Sequence, residues 1–503
     1  LESVKKQLGA TFPIVIDGRK VETKETITSL NPSRMKDVVG RTGSATVADA
    51  DAAVAAAKRA FPEWNALGVA KRSELLRRAS AIMCKCRDEL AAWEVYECGK
   101  PWRGADGDVA EAIDFCEYYA RQALLFETAR GVELPGEENE FVYVPRGVAA
   151  VIAPWNFPLA ILCGMTTAAL VTGNPVVMKP AEQSSVIGAK FMEVLVEAGF
   201  PPGVVHFLPG PGETVGARLV EHPDTATIVF TGSRNVGLAI HRRAAEVSAA
   251  GCPLVKRVVA EMGGKNAIII DDDADLDEAV LGTVKSAFGF QGQKCSAGSR
   301  AIVLAPIYDV FLDRLVEATR SLKLGPAEDP GTNVGPVIDD EARTKIFEYV
   351  EVGKRESRTA LAVDAGPLRD KGYYVGPHIF ADVTPTARIA QEEIFGPVLA
   401  VIKAANLDEA FRIALGTEYA LTGGMFSRSP ANLLRARREF TVGNLYLNRP
   451  ITGALVGRQP FGGFKMSGTG TQAGGPDYLL QFLLPRTITE NTLRRGFAPT
   501  KES

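Results

Sequence analysis

The chain has 503 residues, with 57 Lys and Arg against 60 Asp and Glu for a net charge of −3, and 46% of its residues are apolar. At roughly 100–200 residues per domain, this length predicts two or three domains with large cores, and the composition is that of a folded globular chain. Near-neutral charge gives no reason to expect nucleic acid or an anionic membrane as partner. Disulfide scaffolds, collagens, coiled coils and basic binding domains are excluded.

The opening stretch, LESVKKQLGATFP, lacks the apolar centre of a secretion signal. From Val47 to Leu124 the pattern is amphipathic helix in three runs, ADADAAVAAAKRAF, KRSELLRRASAIMCKCRDELAAWEVYECG and DVAEAIDFCEYYARQALL. Glu133–Pro145 reads as a polar hairpin. The stretch Gly147–Met178 is uncharged and long enough to cross a bilayer. Pro154, Pro158, Gly164, Gly173 and Pro175 interrupt it, however, and split it into a buried strand–helix–strand unit. Strands and helices then alternate through TIVFTGS, the rhythm of a parallel sheet. A second alternation starts near NAIIID, which places a change between two α/β domains at Glu261–Asn266. Leu480–Thr489 reads as a late strand. Neither it nor the hairpin has a place in a sheet core, so both are candidates for contact between subunits.

The cysteines are Cys84, Cys86, Cys98, Cys116, Cys163, Cys252 and Cys295, an odd number with no metal-site spacing. They read as reduced, mostly buried thiols of a cytoplasmic protein. His206, His222, His241 and His378 are scattered, so no catalytic metal is expected.

Four motifs carry chemistry. In FTGSRNVG, Phe230–Gly237, a strand, a glycine turn at Gly232 and a helix start offer backbone N–H groups to a phosphate, or form a plain βα turn. In MKPAE, Lys179 and Glu182 stand at a strand's carboxyl end. They suit ribose hydroxyls, where a carboxylate favours NAD over NADP, or they are a solvated surface pair. In QGQKCS, Cys295 is bracketed by small and polar residues beside Lys294, a setting for a nucleophile, and no histidine is near enough to make a hydrolase dyad. In AEMGGK, Glu261 follows an apolar strand and precedes a glycine pair, as a base at a turn or as a solvated acid.

Together with Pro154-Trp155-Asn156-Phe157, Glu392-Glu393-Ile394-Phe395-Gly396-Pro397 and Pro460-Phe461-Gly462-Gly463, these motifs resemble the aldehyde dehydrogenase superfamily, in order and over nearly the whole chain. Met262, where the family more often has Leu, is a departure of little volume. The resemblance implies an α/β fold with a Rossmann-like NAD-binding domain over 1–126 and 146–260 and an α/β catalytic domain over 261–475. It also implies a β-hairpin oligomerisation element from 127–145 and 476–495, joining a homodimer or larger homo-oligomer. Cys295 would add to the aldehyde, with the Asn156 amide and the Cys295 N–H as oxyanion hole and Glu261 activating the hydrolytic water. Trp155, Lys179, Glu182, Gly232, Ser233, Glu393 and Phe395 would hold NAD.

SAFGFQGQKCS, NLYLNRPITGALVGRQPFGGFKMSGTG and GGPDYLLQF are further similar to the branch of that superfamily that oxidises L-glutamate γ-semialdehyde, the open form of Δ1-pyrroline-5-carboxylate. That likeness implies a substrate carboxylate held by Ser296 and the backbone at Gly453 and Ala454, with Phe157 and Phe461 around the aliphatic chain. Gly298, where the branch often has Ala or Cys, lies past the nucleophile. The rival reading is another small aldehyde, such as succinate semialdehyde or betaine aldehyde. In some bacteria this activity is fused behind a proline dehydrogenase. No part of the chain resembles that barrel, so only the second oxidation of proline breakdown is expected here, coupled to such an enzyme.

Overall fold

The computed structural model describes residues 1–127 and 131–493. Five short apolar runs make the centre of the first sheet: β1 (Val148–Ile152), β2 (Val176–Lys179), β3 (Val205–Phe207), β4 (Thr225–Thr231) and β5 (Arg257–Glu261). They are parallel, in the order β5-β4-β1-β2-β3, and Ile14–Ile16 and Arg19–Val21 extend the β3 edge antiparallel. The chain lays β2 and β3 on one side of β1 and then returns to place β4 and β5 on the other. The carboxyl ends of β1 and β4 therefore frame a topological switch point, where α/β sheets bind ligands. Register brings four strand ends together, since Ile152 pairs with Lys179 and Phe230, and Thr231 pairs with Glu261.

The uncharged stretch is β1, a helix Ala160–Val171 buried along nearly its whole length, and β2. No helix among the described residues is long and apolar enough to cross a membrane.

Met262–Lys265 lead from the first sheet into the second. This contains β6 (Asn266–Ile270), β7 (Gly298–Leu304), β8 (His378–Ala381), β9 (Val398–Ala404), β10 (Thr422–Phe426) and β11 (Asn444–Leu447). These six are parallel in the order β8-β9-β7-β6-β10-β11, and Arg358–Ala362 adds an antiparallel edge beside β8.

Several expectations change. The long helix expected through Cys84 and Cys86 is two helices, Val69–Lys85 and Arg87–Cys98, meeting at Cys86 (φ −104°, ψ 21°). Asp88 and Glu89 then stand in a first turn, where their charge favours a fresh helix start. Glu133–Pro145 does not fold back on itself beyond a turn closed by Leu134 and Glu137. Glu137–Pro145 is one nine-residue strand, and it pairs antiparallel with Leu483–Asn491, which takes the place a second hairpin strand would fill. Positions 128–130 and 494–495 of the expected oligomerisation segments lie outside the described residues. Only three of the seven free thiols are buried, those of Cys98, Cys116 and Cys163, while Cys84 is exposed.

Candidate active site

Cys295 lies in the loop between helix Leu276–Phe288 and β7. Phe290 and Gln291 enter it with φ of +52° and +55°, left-handed values that cost a side-chain-bearing residue energy unless its surroundings enforce them. The Gln291 carboxamide donates to the carbonyls of Gly99 (3.3 Å) and Pro336 (2.6 Å), and Gln293 Oε1 accepts from Ile338 N–H at 2.9 Å. On the other side Asn266 Nδ2 donates to the carbonyls of Cys295 (2.7 Å) and Ala297 (2.8 Å). The thiol is thus held from both flanks. Burial, then Glu393 and Glu261, push its pKa up to about 12. Its own backbone N–H has no acceptor among the described residues.

Glu261 ends β5. Both its carboxylate oxygens are buried without a hydrogen-bond partner among the described residues, and burial holds its pKa well above the ordinary carboxylate range. The main chain around it is tied: its carbonyl accepts from Gly232 N–H at 3.0 Å, and Met262 N–H donates to Ser467 at 2.8 Å. Gly263 lets the Glu393 carboxylate close in, because a Cβ there would lie 2.2 Å from Glu393 Oε2 and displace it. Glu393 Oε1 accepts from Gly264 N–H at 2.9 Å. Asn156, in the loop after β1, donates from Nδ2 to the Gln293 carbonyl at 3.2 Å.

Two cavities meet at Cys295, sharing also Thr231 and Met262. The larger, about 340 Å³, opens at the switch point and is lined by Trp155, Asn156, Gly232, Ser233, Gly263, Glu393 and Phe395. Trp155 and Phe395 meet edge to face at 5.6 Å, and Phe395 is held at φ +62°. The smaller, about 110 Å³, is mainly apolar and lined by Phe157, Phe461, Glu261, Ser296, Gly453 and Ala454. At Gly453 (φ +78°) the loop needs glycine, and neither its N–H nor that of Ala454 has an acceptor among the described residues. The next N–H, of Leu455, is taken by Gln459 Oε1 at 3.0 Å.

Thirteen of the fifteen residues singled out in the sequence therefore line these cavities. Lys179 and Glu182 line neither. Lys179 Nζ donates to Glu182 at 3.4 Å, and Glu182 accepts from Gly212 N–H at 2.8 Å. The turn at Gly232 also differs from a simple phosphate cradle. Its N–H is spent on Glu261, and the Ser233 hydroxyl caps helix Arg234–Ala249 by accepting from Val236 N–H. Not foreseen was an apolar groove beside that helix, floored by Ile152, Val220, Val236, Ala239 and Ile240. Asn266 and Glu111 were also missed. Glu111 lines the smaller cavity, with its pKa pushed up to about 8 by burial and by Asp108.

A thiol and a buried carboxyl at the junction of an open cleft and a small apolar chamber suit the oxidation of an aldehyde. Residues 19–488 match the aldehyde dehydrogenase family, and the chain belongs to it. It is 52% identical to 1-pyrroline-5-carboxylate dehydrogenase of Geobacillus thermodenitrificans, over 97% of this chain and 95% of the relative. Among solved structures it resembles 1-pyrroline-5-carboxylate dehydrogenase from Thermus with bound NAD (49% identity, TM-score 0.94, 97% and 95% coverage). It also resembles proline utilization A from Bdellovibrio bacteriovorus (52% identity, TM-score 0.96). That likeness covers 99% of this chain, which spans only about half (52%) of that longer one.

Proposed function

We propose that the chain oxidises L-glutamate γ-semialdehyde, the open form of Δ1-pyrroline-5-carboxylate, to L-glutamate with NAD, the second oxidation of proline breakdown. The observation that carries this reading is the pair of N–H groups at Gly453 and Ala454, without acceptors among the described residues and lining the same small chamber as Cys295. Two adjacent main-chain donors in a small-residue loop suit a carboxylate at the far end of a short aldehyde.

The residues fit NAD. Gly263, where a side chain would strike Glu393, leaves the cleft open beside that carboxylate, which suits the nicotinamide ribose, with Trp155 and Phe395 beside the ring. Gly232 and Ser233 stand at a helix N-terminus near the pyrophosphate's place, and the apolar groove fits a flat adenine. Lys179 and Glu182 are assigned to the adenosine ribose beside that groove, to which Gly212 also belongs. NAD bound there supplies the hydride acceptor.

The chain's own groups do the rest. Cys295 as thiolate adds to the aldehyde carbon, while Asn156 Nδ2 and the Cys295 N–H donate to the developing oxyanion; losing one such donor costs about 10²–10³ in rate. Once the carbon is oxidised, the acyl group remains on sulfur as a thioester. Glu261 takes a proton from water as its oxygen attacks that carbon, the C–S bond breaks, and glutamate and the thiol are released. Phe157 and Phe461 border the chain of the substrate, and Ser296 adds a hydroxyl to its carboxylate.

In this reading 1–126 with 146–260 bind NAD, 261–475 carry the chemistry, and the paired strands near 137–145 and 483–491 join a homodimer or larger assembly. Half-exposed Phe141 and Ile488 on that arm support the last point. Likeness to proline utilization A supports functional coupling to a proline dehydrogenase, and the seven free thiols favour a reducing compartment, the cytoplasm.

The test is NADH formation with Δ1-pyrroline-5-carboxylate, succinate semialdehyde and propanal. A kcat/KM ~100-fold higher for the first, worth about 2.7 kcal/mol, is expected. Equal use of the three would overturn the substrate and leave the family standing.

A further inference from the structure

Beneath the loop that carries Asn156 lies a second set of charges. Lys100 follows Gly99, whose left-handed φ of +63° closes helix Arg87–Cys98. Its side chain is 1% exposed, and those of Glu94 and Asp108 are 0% exposed. The ammonium donates to Asp108 Oδ2, and to the Asn156 carbonyl at 3.1 Å. It lies 3.6 Å from Glu94 and 4.3 Å from the centre of the Phe157 ring. The other Asp108 oxygen accepts from Ala160 N–H at 2.6 Å. One ion pair thus fastens both ends of the loop Asn156–Ala160.

A pair this deep is poorly explained by stability, because removing two charges from water is costly and apolar residues of the same volume often serve as well. Direction is what such a pair adds. A polar contact of fixed length holds a backbone carbonyl in one place, and a cation over a ring face orients the ring. Burial and Asp108 push Glu94 well above the ordinary carboxylate range, and the ammonium's hydrogen bonds go to Asp108 and to Asn156.

We propose that Lys100 is a positioning residue of the oxyanion site: held by Asp108, its ammonium fixes the Asn156 carbonyl and the Phe157 ring, so that the Asn156 carboxamide meets the oxygen of the bound aldehyde. This rests on the reading of Asn156 as an oxyanion donor. The substrate's identity is immaterial to it.

The test is a double-mutant cycle between Lys100→Met and Asn156→Ala in the full chain, read as kcat for NADH formation with Δ1-pyrroline-5-carboxylate and with propanal. Lys100→Met should lower kcat about 10–100-fold, the scale of a misplaced reacting group. It should leave the KM for NAD unchanged and add nothing to the loss caused by Asn156→Ala. Alkylation of Cys295 by iodoacetamide, a displacement that forms no oxyanion, should stay within about twofold of the parent, because it does not use the donor. An unchanged kcat, losses that multiply in the double variant, or alkylation that slows in step with turnover would each overturn the proposal. A silent Asn156→Ala would overturn the oxyanion reading, and this inference with it. Should Lys100→Met fail to fold, Asp108→Asn keeps an oxygen for Ala160 but loosens the ammonium. It should cost about 3–10-fold with the same lack of additivity, and a silent or additive result there overturns the proposal equally.

Discussion

A thiol must lose its proton before it adds to a carbonyl, and the surroundings of Cys295 oppose that loss. Burial, Glu393 and Glu261 all disfavour the thiolate. Because the thiol's pKa is raised, its alkylation by iodoacetamide should still be climbing between pH 8 and 10 in the chain without NAD. A plateau below pH 8 would reveal a base or cation acting on the sulfur that the geometry does not show. Cys295→Ala should abolish NADH formation while NAD still binds, as followed by quenching of protein fluorescence. As the proposed base, Glu261 has to be ionised to take a proton from water, and its pKa is raised as well, so steady-state turnover should rise with pH through a range above that of ordinary carboxylates. Glu261→Gln should lower that turnover about 10²–10⁴-fold. The first burst of NADH in a stopped-flow trace should survive, and its disappearance would place Glu261 before the thioester.

At the level of elements, the site is a set of strand ends, and this is why so much of it was legible in the sequence. Asn156, Lys179, Gly232 and Glu261 each follow an apolar run that can only be a strand, and parallel pairing brings those ends into one row. What could not be read depends on register across long separations. Asn266 reaches the Cys295 carbonyl, and Gln291 reaches Gly99, through contacts that no local pattern encodes. Gly232 looked like a phosphate donor because the sequence cannot show that its N–H is spent on Glu261. The break at Cys86 was missed because both helices it separates keep the same apolar period. The glycine pair after β5 gives a sharp test of how the two strand ends meet. Gly263→Ala would drive a methyl group into Glu393 and should raise the KM for NAD at least ~10-fold, the scale of a misplaced binding group, with the KM for aldehyde little changed. Ala454→Pro removes one of the two free donors, and should raise the KM for glutamate semialdehyde while sparing propanal.

Over the whole molecule, two parallel sheets share one chain junction at Met262–Lys265, and Gln183 Nε2 also bridges them by donating to Asp339 at 3.1 Å. The arm stands apart from both sheets as a two-stranded ribbon. Ending the chain after Phe482 would strip the partner from Glu137–Pro145 and should lower the mass seen by light scattering. An unchanged mass would remove the arm from the assembly. The ribbon has a further consequence, in the order of synthesis. Thr489 and Asn139, which hydrogen-bond across it, are 350 positions apart. At about 5–20 residues per second, the ribosome leaves the first strand waiting on the order of 20–70 s for the second. Throughout that interval an open strand edge is available to any passing chain. Glu137, Glu138 and Glu140 lie along it, and their like charges discourage a second nascent copy from pairing there before the proper strand emerges.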